Sequence, residues 1–474
     1  MMFRTGVSNM KKKVSNLLSR SLWYFLVLAL TASCGSDDKK DPTPTPPEPE
    51  ALKITIDPAV TYQEMVGFGG ALTWYSERIL SSSKKNEIAN QIFSDLGADI
   101  IRFKNCYYPD NYPTVTSTTS MSDDNSKVLW DATNQLHQMA KAQNPNVKIL
   151  LSSWGPPAAL KSNNSTREGT LKKEAGNFMY DAYATYWENL LNNLPFDPEY
   201  VSIQNEPSYT NPGWTTCEWS STETSSLPGY NIAFDKVYEK IQARPDRPIM
   251  LGPESPNTTS YSNFAAALKD KAHVGMFGYH PYDINSSTSD SQIKSSLQSI
   301  ANYNTKPNIM TEYSDNLTWF NTAMFIHNTL IYANSSGYIY WKLAWAQPAS
   351  GTVDAAMVSI SNSGSYVVTP FYHVMKHYAK YIDAGYKRIE ASSTKQNLNI
   401  TAFINSTKNQ LTLVIINSGA SAEDVEFSVS GKTIGTITID QSKEGDFFKR
   451  LEQATADDII SIPAKTISTV VITI

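Results

Sequence analysis

The sequence has little charge and no surplus of positive charge. Only 18% of its 474 residues are charged, and the net charge is −5 with a pI near 5.8. A protein that binds nucleic acid needs a basic surface to meet the phosphates. We therefore expect no nucleic-acid partner.

Motifs of several enzyme classes are missing or incomplete. The chain has no Gly-x-Ser-x-Gly elbow of a serine hydrolase. The Gly-Phe-Gly-Gly segment at residues 67–70 lacks the further glycine and the acidic partner of a nucleotide-binding loop, so we interpret it as tight packing around a strand. His373 and His377 have metal-ligand spacing, but Val374 lies where a zincin has its glutamate, and helix packing is the better interpretation. The sequence therefore predicts neither a metal nor a cofactor.

Cysteine is also scarce, and the first of the three cysteines, Cys34, ends a targeting segment. Lysines at 11–13 and Arg20 precede the apolar run 22–30, which is followed by Thr-Ala-Ser and then Cys34. The run is too short to span a membrane comfortably, and the pattern resembles a bacterial lipoprotein signal, with an ordinary secretory signal or a short anchor as alternatives. We predict a signal at 1–34, lipidation at Cys34 and a semi-rigid Pro-rich tether at 35–50. The protein would then be exported and anchored at the outer membrane or cell surface.

The other two cysteines, Cys106 and Cys217, remain in the exported part of the chain. An oxidising compartment permits a disulfide between them. The sequence does not set their distance, so the pairing is left open.

A repeated alternation of apolar strands and amphipathic helices fills residues 63–383. The predicted strands are residues 66–73, 99–105, 148–154, 200–207, 249–254, 276–283, 308–314 and 337–345. Eight such units with nearly continuous apolar strands predict an α/β fold, a closed (β/α)8 TIM barrel.

The pattern changes after residue 383. Short β-branched segments at 399–405, 410–417, 425–429, 433–439 and 466–474 are separated by Gly, Ser and Asn turns. They predict an antiparallel β-sandwich over residues 384–474, which a strand within 51–62 is expected to join. The chain is thus a barrel with a side β-domain.

Two of the predicted barrel strands deliver a glutamate to their C-terminal ends, where TIM-barrel chemistry takes place. Glu206 follows the fourth strand and Glu312 ends the seventh. Retaining glycosidases need two carboxyl groups about 5–5.5 Å apart, and the fourth and seventh strands face each other across the mouth. Glu254, at the end of the fifth strand, is a weaker competitor.

Other strand-end residues fit the same chemistry. Tyr282 and Arg102 are placed to donate to a carboxylate nucleophile and keep it ionised, and Asn205 is placed to bond a sugar 2-hydroxyl. The acid/base must instead stay protonated. Aromatic residues make up 11% of the chain, and such rings stack on sugars, although most of them are expected in the core. The predicted substrate contacts are Asn205, Trp154, Tyr282, His280, Trp341, Arg102, Trp74 and Trp219.

From about residue 52 onward, the chain resembles glycoside hydrolase family 30. The matching motifs are Gly-Phe-Gly-Gly at 67–70, Ser-Trp-Gly-Pro-Pro at 153–157, Lys-Ser-Asn-Asn at 161–164, Ser-Ile-Gln-Asn-Glu-Pro at 202–207, Cys-Glu-Trp-Ser at 217–220 and Met-Thr-Glu at 310–312. The resemblance implies a barrel with a side β-domain, a retaining mechanism, Glu206 as acid/base and Glu312 as nucleophile. The Lys-Ser-Asn-Asn and Cys-Glu-Trp-Ser segments are most similar to the branch that cuts glucuronoxylan internally.

One segment departs from that branch. The branch carries arginine after the eighth strand to hold the uronic acid of the substrate, but residues 341–347 read Trp-Lys-Leu-Ala-Trp-Ala-Gln. Lys342 offers a charge without the bidentate fork of arginine.

We therefore predict a monomer that cleaves β-1,4-xylan internally with two glutamates. The alternatives are a relative acting on β-1,6-glucan or β-galactan, and a non-catalytic glycan-binding lipoprotein.

Overall fold

The computed structural model describes residues 51–105, 107–109, 121–123, 127–303, 305–314, 317–348, 350–351 and 355–474. The predicted signal, Cys34, the tether and Cys106 lie outside these ranges. Within them, every helix is too short or too polar to cross a membrane.

Eight parallel strands form a closed barrel, which confirms the predicted fold class. We number them along the chain as β1 (Gly67–Leu72), β2 (Ile100–Asn105), β3 (Lys148–Ser153), β4 (Tyr200–Ser202), β5 (Ile249–Ser255), β6 (Met276–Tyr279), β7 (Asn308–Tyr313) and β8 (Gly337–Tyr340). Every residue of β1, β2 and β7 is buried, as expected for parallel strands that are covered on both faces. Close packing also explains a glycine of the 67–70 segment, because a Cβ on Gly69 would lie 1.7 Å from the Ile100 carbonyl oxygen.

Helices cover the outside of the barrel between the strands. They are α1 (Ser76–Ser81), α2 (Lys85–Ala89), α3 (Lys127–Gln143), α4 (Tyr180–Asn193), α5 (Tyr230–Ile241), α6 (Thr258–Leu268), α7 (Asp290–Ala301), α8 (Trp319–Tyr332) and α9 (Pro370–Ala379). A π-helical turn, Asn90–Asp95, continues α2, and a 3₁₀ turn, Ala158–Leu160, follows β3.

Three barrel strands are shorter than the sequence predicts, and one of them is β6, which ends at Tyr279 and not at residue 283. β4 ends at Ser202 and not at Pro207, and Glu206 has a left-handed φ of 47° that cannot continue a ladder. β8 ends at Tyr340, and the chain then enters a small sheet of Ala344–Ala346, Val358–Ile360 and Tyr366–Val368. Two further hairpins pair Tyr107–Pro109 with Met121–Asp123 and Lys173–Glu174 with Asn177–Phe178.

The barrel interior is built in layers. One residue from each strand forms an inner apolar cluster of Ala71, Ile100, Leu150, Tyr200, Leu251, Met276, Ile309 and Ile339. Side chains alternate along a strand, so the residues two positions later also face inward. Arg102, Ser152, Ser202, Thr311 and Trp341 occupy those positions. The layer toward the C-terminal ends of the strands is therefore largely polar.

The side domain is a nine-stranded sheet. Its strands are Leu52–Glu64, Lys387–Ser392, Leu398–Ile404, Gln410–Asn417, Glu423–Val429, Ile437–Lys443, Asp446–Arg450, Ile460–Ile462 and Thr466–Thr473. The sheet is antiparallel except where Leu52–Ile56 runs parallel to Val425–Val429. Strands from both ends of the order share one core, as in a sandwich. The strand predicted at 433–439 begins only at Ile437, after a turn at Gly431, where φ is 67°.

Helices α8 and α9 pack the barrel against this sheet. His377 of α9 is fully buried, and its ring nitrogens lie 2.9 Å from Thr469 Oγ1 and 2.7 Å from Ser442 Oγ. His327 of α8 is bonded in the same way to Thr401 Oγ1, at 2.7 Å. The interface thus pairs buried imidazoles with hydroxyl groups of the sheet.

Candidate active site

Two glutamates meet at the C-terminal mouth of the barrel. Glu312 lies on β7, as predicted, whereas Glu206 lies in the segment four residues after β4. Carboxylate oxygens of both lie with a ring nitrogen of His280 in a group whose atoms are all within 4.8 Å of one another. This separation suits the direct attack of a carboxylate and leaves little room for an intervening water, as in retaining glycosidases.

The surroundings of Glu312 stabilise a carboxylate. Arg102 Nη1 donates to Oε2 at 2.6 Å, and the Tyr282 hydroxyl donates to Oε1 at 2.9 Å. Burial nevertheless raises the pKa of Glu312 above its usual range, although the neighbouring His280 and Arg102 charges oppose the shift. Both donors lie on Glu312, which fits the ionised member of a catalytic pair. The same donors occupy both oxygens of Glu312, and we therefore assign no metal to this group.

Arg102 connects several parts of the site. Its position two residues after Ile100 directs it into the barrel, where its side chain is fully buried. Besides Glu312, the guanidinium donates to Asn205 Oδ1 at 2.6 Å, Glu254 Oε1 at 3.1 Å and Ser152 Oγ at 3.0 Å. The bond to Asn205 Oδ1 leaves the amide NH2 group of that residue as a donor for a sugar hydroxyl.

His280 holds the other glutamate. Its Nδ1 lies 3.1 Å from Glu206 Oε1, and its Nε2 lies 3.1 Å from Thr311 Oγ1. Burial lowers the pKa of His280, but the carboxylates of Glu312, Glu206 and Glu254 outweigh it and raise the value to about 9. A protonated imidazole donates to Glu206 Oε1, which leaves Oε2 of that carboxyl group without a bond to His280.

The competing carboxylate, Glu254, lies below the mouth at the end of β5. It is completely buried and does not line the cavity, so it is out of reach of a substrate. Burial alone would raise the pKa of Glu254, but Arg102 and His280 hold it well below its usual range. Glu254 is therefore a fixed anion under the site.

Two residues of the site, Glu206 and Glu254, have strained backbone conformations. Glu206 and Glu254 have φ values of 47° and 52°, in the left-handed region that non-glycine residues rarely adopt. Such conformations persist only where surrounding contacts hold them, and they cluster at functional sites. The Glu206 N–H donates to the Glu254 carbonyl at 2.9 Å, so the two strained residues support each other.

A cavity of about 730 Å³ opens above the glutamates. Its walls are largely aromatic, and its lining residues are Trp74, Tyr75, Trp154, Asn205, Glu206, Tyr209, Trp214, Pro256, Asn257, Tyr282, Asp283, Glu312, Trp341 and Trp345. Three of these tryptophans form a cluster in which Trp74 meets Trp154 and Trp341 edge-on, at centroid distances of 5.6 and 5.4 Å. Ring faces of this kind suit sugar stacking.

The structure divides the predicted substrate contacts into two groups. Trp74, Trp154, Asn205, Tyr282 and Trp341 line the cavity. Arg102 and His280 lie behind it and act on the glutamates. Trp219 is 1% exposed and also lies behind the cavity, which corrects the expectation of a sugar contact there. Its indole N–H donates to Gln204 Oε1 at 3.2 Å and supports the strained segment before Glu206.

Sequence reasoning missed several cavity residues. Tyr75 follows Trp74 directly, and Trp345 lies near Trp341, so their positions beside predicted strand ends were an available signal. Tyr209, Trp214 and Asn257 lie on loops whose course follows no periodic pattern. Cys217 belongs to the same loop region, where it is buried with a free thiol.

Comparison with known proteins agrees with this architecture. Residues 385–470 match the family model of the glycosyl hydrolase family 30 beta sandwich domain. The putative glucosylceramidase 2 of Caenorhabditis elegans is 23% identical over 449 residues, which cover 82% of this chain and 84% of that protein.

Solved structures share the fold. The catalytic domain of the family 30 xylanase C of Talaromyces cellulolyticus is 19% identical with a TM-score of 0.71, covering 89% of this chain and 100% of its own. An endo-β-1,6-glucanase is 18% identical with a TM-score of 0.65, covering 88% of this chain and 94% of its own. Residues 385–470 are therefore similar to the side domain of glycoside hydrolase family 30, and the barrel has the same fold as these solved enzymes.

Proposed function

We propose that the protein is a retaining glycoside hydrolase that cleaves β-1,4-xylan internally, with Glu206 as acid/base and Glu312 as nucleophile. The observation that carries the proposal is the pair of carboxyl groups within 4.8 Å, one bearing two donors and the other a single histidine contact. The first describes an ionised nucleophile and the second a proton donor.

In the first step, Glu312 attacks the anomeric carbon while Glu206 gives its proton to the departing glycosidic oxygen. As the covalent bond between Glu312 and the sugar forms, Glu312 loses its negative charge, and the hydrogen bonds from Arg102 and Tyr282 to it weaken. Asn205 bonds the 2-hydroxyl of the sugar, an interaction that strengthens in the transition state.

In the second step, the ionised Glu206 takes a proton from water, and that water attacks the same carbon from the opposite side. Glu312 leaves, and two inversions give net retention. The His280 contact with Oε1 fixes the Glu206 carboxyl in both steps, because imidazolium is a donor to either protonation state.

The test is product analysis on glucuronoxylan, unbranched xylan, β-1,6-glucan and β-galactan. We expect xylo-oligosaccharides whose new reducing ends first appear as the β-anomer by proton NMR. The Glu312→Gln variant should lose at least about 10⁴-fold in kcat, because no nucleophile remains.

Glu199→Gln is the matched control. Glu199 lies just before β4 at the opposite end of the barrel, where it bonds Lys141 Nζ at 2.9 Å, and its loss should leave activity unchanged. An α-anomeric first product would refute retention. Capture of a glycan without cleavage would support the binding-lipoprotein alternative.

A second β-glycan remains a specific alternative. Among the described residues, the cavity lining contains no arginine or lysine, and Lys342 lies 5.4 Å from the Trp345 ring centroid. An uncharged glycan such as β-1,6-glucan would be held by such walls without a cation. Cleavage of that glycan alone would support the two-glutamate mechanism and contradict xylan as the substrate.

We also propose that the protein is exported and lipid-anchored at Cys34 on the cell surface, on the sequence pattern of residues 11–34. Metabolic labelling with a fatty-acid probe should mark the wild type and not Cys34→Ser. Equal labelling of both would refute the anchor.

A further inference from the structure

Glu254 is a buried charge that no step of the proposed mechanism uses. Its side chain is fully inaccessible, and its Oε1 lies 3.1 Å from Arg102 Nε and 3.9 Å from His280 Nε2. Those two cations are also the ones that hold the catalytic pair, since Arg102 donates to Glu312 and His280 to Glu206. Glu254 is thus one contact away from each catalytic glutamate, through a different cation in each case.

The negative charge of Glu254 is needed for the charges of this cluster to cancel. Arg102 and His280 bring two positive charges, and Glu254 and the ionised Glu312 bring two negative charges. The cluster is then neutral when Glu206 carries its proton. Without Glu254, one buried positive charge would be uncompensated, and ionisation of Glu206 would become the cheapest way to neutralise it.

We propose that Glu254 is a positioning residue that offsets the charge of Arg102 and His280, so that Glu206 keeps its proton while Glu312 stays ionised. The inference rests on the proposed function, which assigns these two roles. It concerns a residue that never touches the substrate.

The other groups around Glu254 are neutral and do not offset its charge. Besides Arg102 and His280, the hydroxyls of Ser202 and Tyr230 face it from β4 and α5, and both are neutral groups. The pKa of Tyr230 lies well above its usual value because the residue is buried, with the Glu254 charge adding to the effect. The two cations are therefore the charged partners of Glu254 among the described residues.

The charged and titratable groups next to Glu206 can also be named. His280 and Glu312 are its charged neighbours, and Tyr282 faces both glutamates, its pKa held well above the usual value by burial and by their charges. Because Tyr282 stays neutral, the balance at Glu206 depends on His280, Glu312 and, through them, Glu254.

The experiment compares pH profiles of kcat/KM for the wild type and Glu254→Gln. Glutamine keeps the shape and an acceptor for Arg102 Nε but removes the charge. We expect both limbs of the profile to move to lower pH by about one unit, because a net positive field favours ionisation of both catalytic carboxyls. Above the optimum, activity would fall about tenfold relative to the wild type. A merely structural role would lower kcat and leave both limbs in place, and that result would overturn the proposal.

Glu199→Gln again serves as the control, since it removes a carboxylate at the far end of the barrel and should not move the limbs. A second readout needs no activity. In ¹⁵N NMR, with the His280 signal assigned by His280→Asn, we expect the imidazole titration midpoint to fall by about one unit in Glu254→Gln. An unmoved midpoint would refute the charge contact.

If Glu254→Gln does not fold, the wild type alone decides. His280 should be an imidazolium at pH 7, and a neutral ring there would overturn the proposal. If the wild type cuts no glycan but its His280 titrates as expected, the proposed function fails and the charge arrangement stands.

Discussion

Two buried histidines of this molecule have opposite surroundings. His280, at the barrel mouth, is surrounded by carboxylates, whereas His377, between α9 and the side domain, is bonded to two hydroxyls. Burial lowers the pKa of both rings. At His280 three carboxylates outweigh it and give a pKa of about 9, whereas at His377 burial prevails and gives about 3, although Asp440 opposes it.

The comparison shows that burial alone does not decide the charge of a side chain. Hydroxyl groups can form hydrogen bonds with a neutral imidazole, so no counter-charge is needed. This suits an interface whose role is structural. Carboxylate partners keep a ring charged, which suits a site that has to place a proton.

The largest expected effect comes from removing the cation of the mouth. Arg102→Met should lower kcat by about 10²–10³-fold, because Glu312 loses its shortest donor. It should also lower the free energy of unfolding by about 3–5 kcal/mol at neutral pH, since Glu254 and Glu312 are left buried without their partner. Urea unfolding and initial rates measure the two effects.

Arg247→Met is the control for that variant. Arg247 is exposed, and its contacts are the Tyr238 hydroxyl at 3.4 Å and the Gln242 carbonyl at 3.2 Å. A loss above about 1 kcal/mol there, or none in Arg102→Met, would contradict the contrast between buried and exposed cations.

The next effect is a pair of opposite pH slopes. His377 has a folded-state pKa below the unfolded value near 6.5, so below pH 6.5 the unfolded chain binds a proton that the folded chain does not. Its contribution to stability is lost as pH falls from about 6.5 toward 3, by up to about 1.4 kcal/mol per unit. His280 has a raised pKa, so its contribution is complete below about 6.5 and is lost as pH rises toward 9.

Unfolding free energies of the wild type, His377→Asn and His280→Asn across pH 4.5–9 measure these slopes. The stability difference between the wild type and His377→Asn should shrink on the acid side, and that for His280→Asn on the alkaline side. Lys376 and His373 lower the pKa of His377 further, whereas its charged neighbour Asp440 raises it. A difference that grows on the acid side would therefore contradict the low pKa of His377.

The smallest effect concerns a single hydroxyl of the interface. Thr469→Val removes the contact with His377 Nδ1 at 2.9 Å and the bond to the His377 carbonyl at 2.8 Å. We expect a loss of about 1–3 kcal/mol in unfolding free energy with unchanged kcat. Thr438→Val, at a partly exposed position of the neighbouring strand, is the control. Equal losses in both would mean that the imidazole contact contributes nothing.

The barrel could be predicted from sequence periodicity because parallel strands that are buried on both faces have nearly continuous apolar runs. The same periodicity fixes the direction of Arg102, two residues beyond an inward Ile100, and the strand ends led to Glu206 and Glu312. The match of residues 385–470 supports the prediction of family 30 for the side domain, and the assignment of the whole chain and the xylanase branch stay predictions.

Other features have no local signal. The left-handed conformations at Glu206 and Glu254 depend on contacts between two strands and not on either sequence. Trp214 reaches the cavity from a loop, whereas Trp219, five residues later, turns into the core. Loop courses of this kind are set by tertiary packing, so the sequence alone could not separate the two tryptophans.

The first strand of the side domain, Leu52–Glu64, precedes the barrel in the chain, while its partners Lys387–Ser392 and Glu423–Val429 follow it. This strand therefore has no partner in its sheet until the whole barrel and the strands that follow it are available to fold. Pairing at such sequence separation is slow, and an unpaired strand edge invites aggregation. The side domain thus joins the two ends of the barrel segment, and its sheet can be completed only after distant parts of the chain have met.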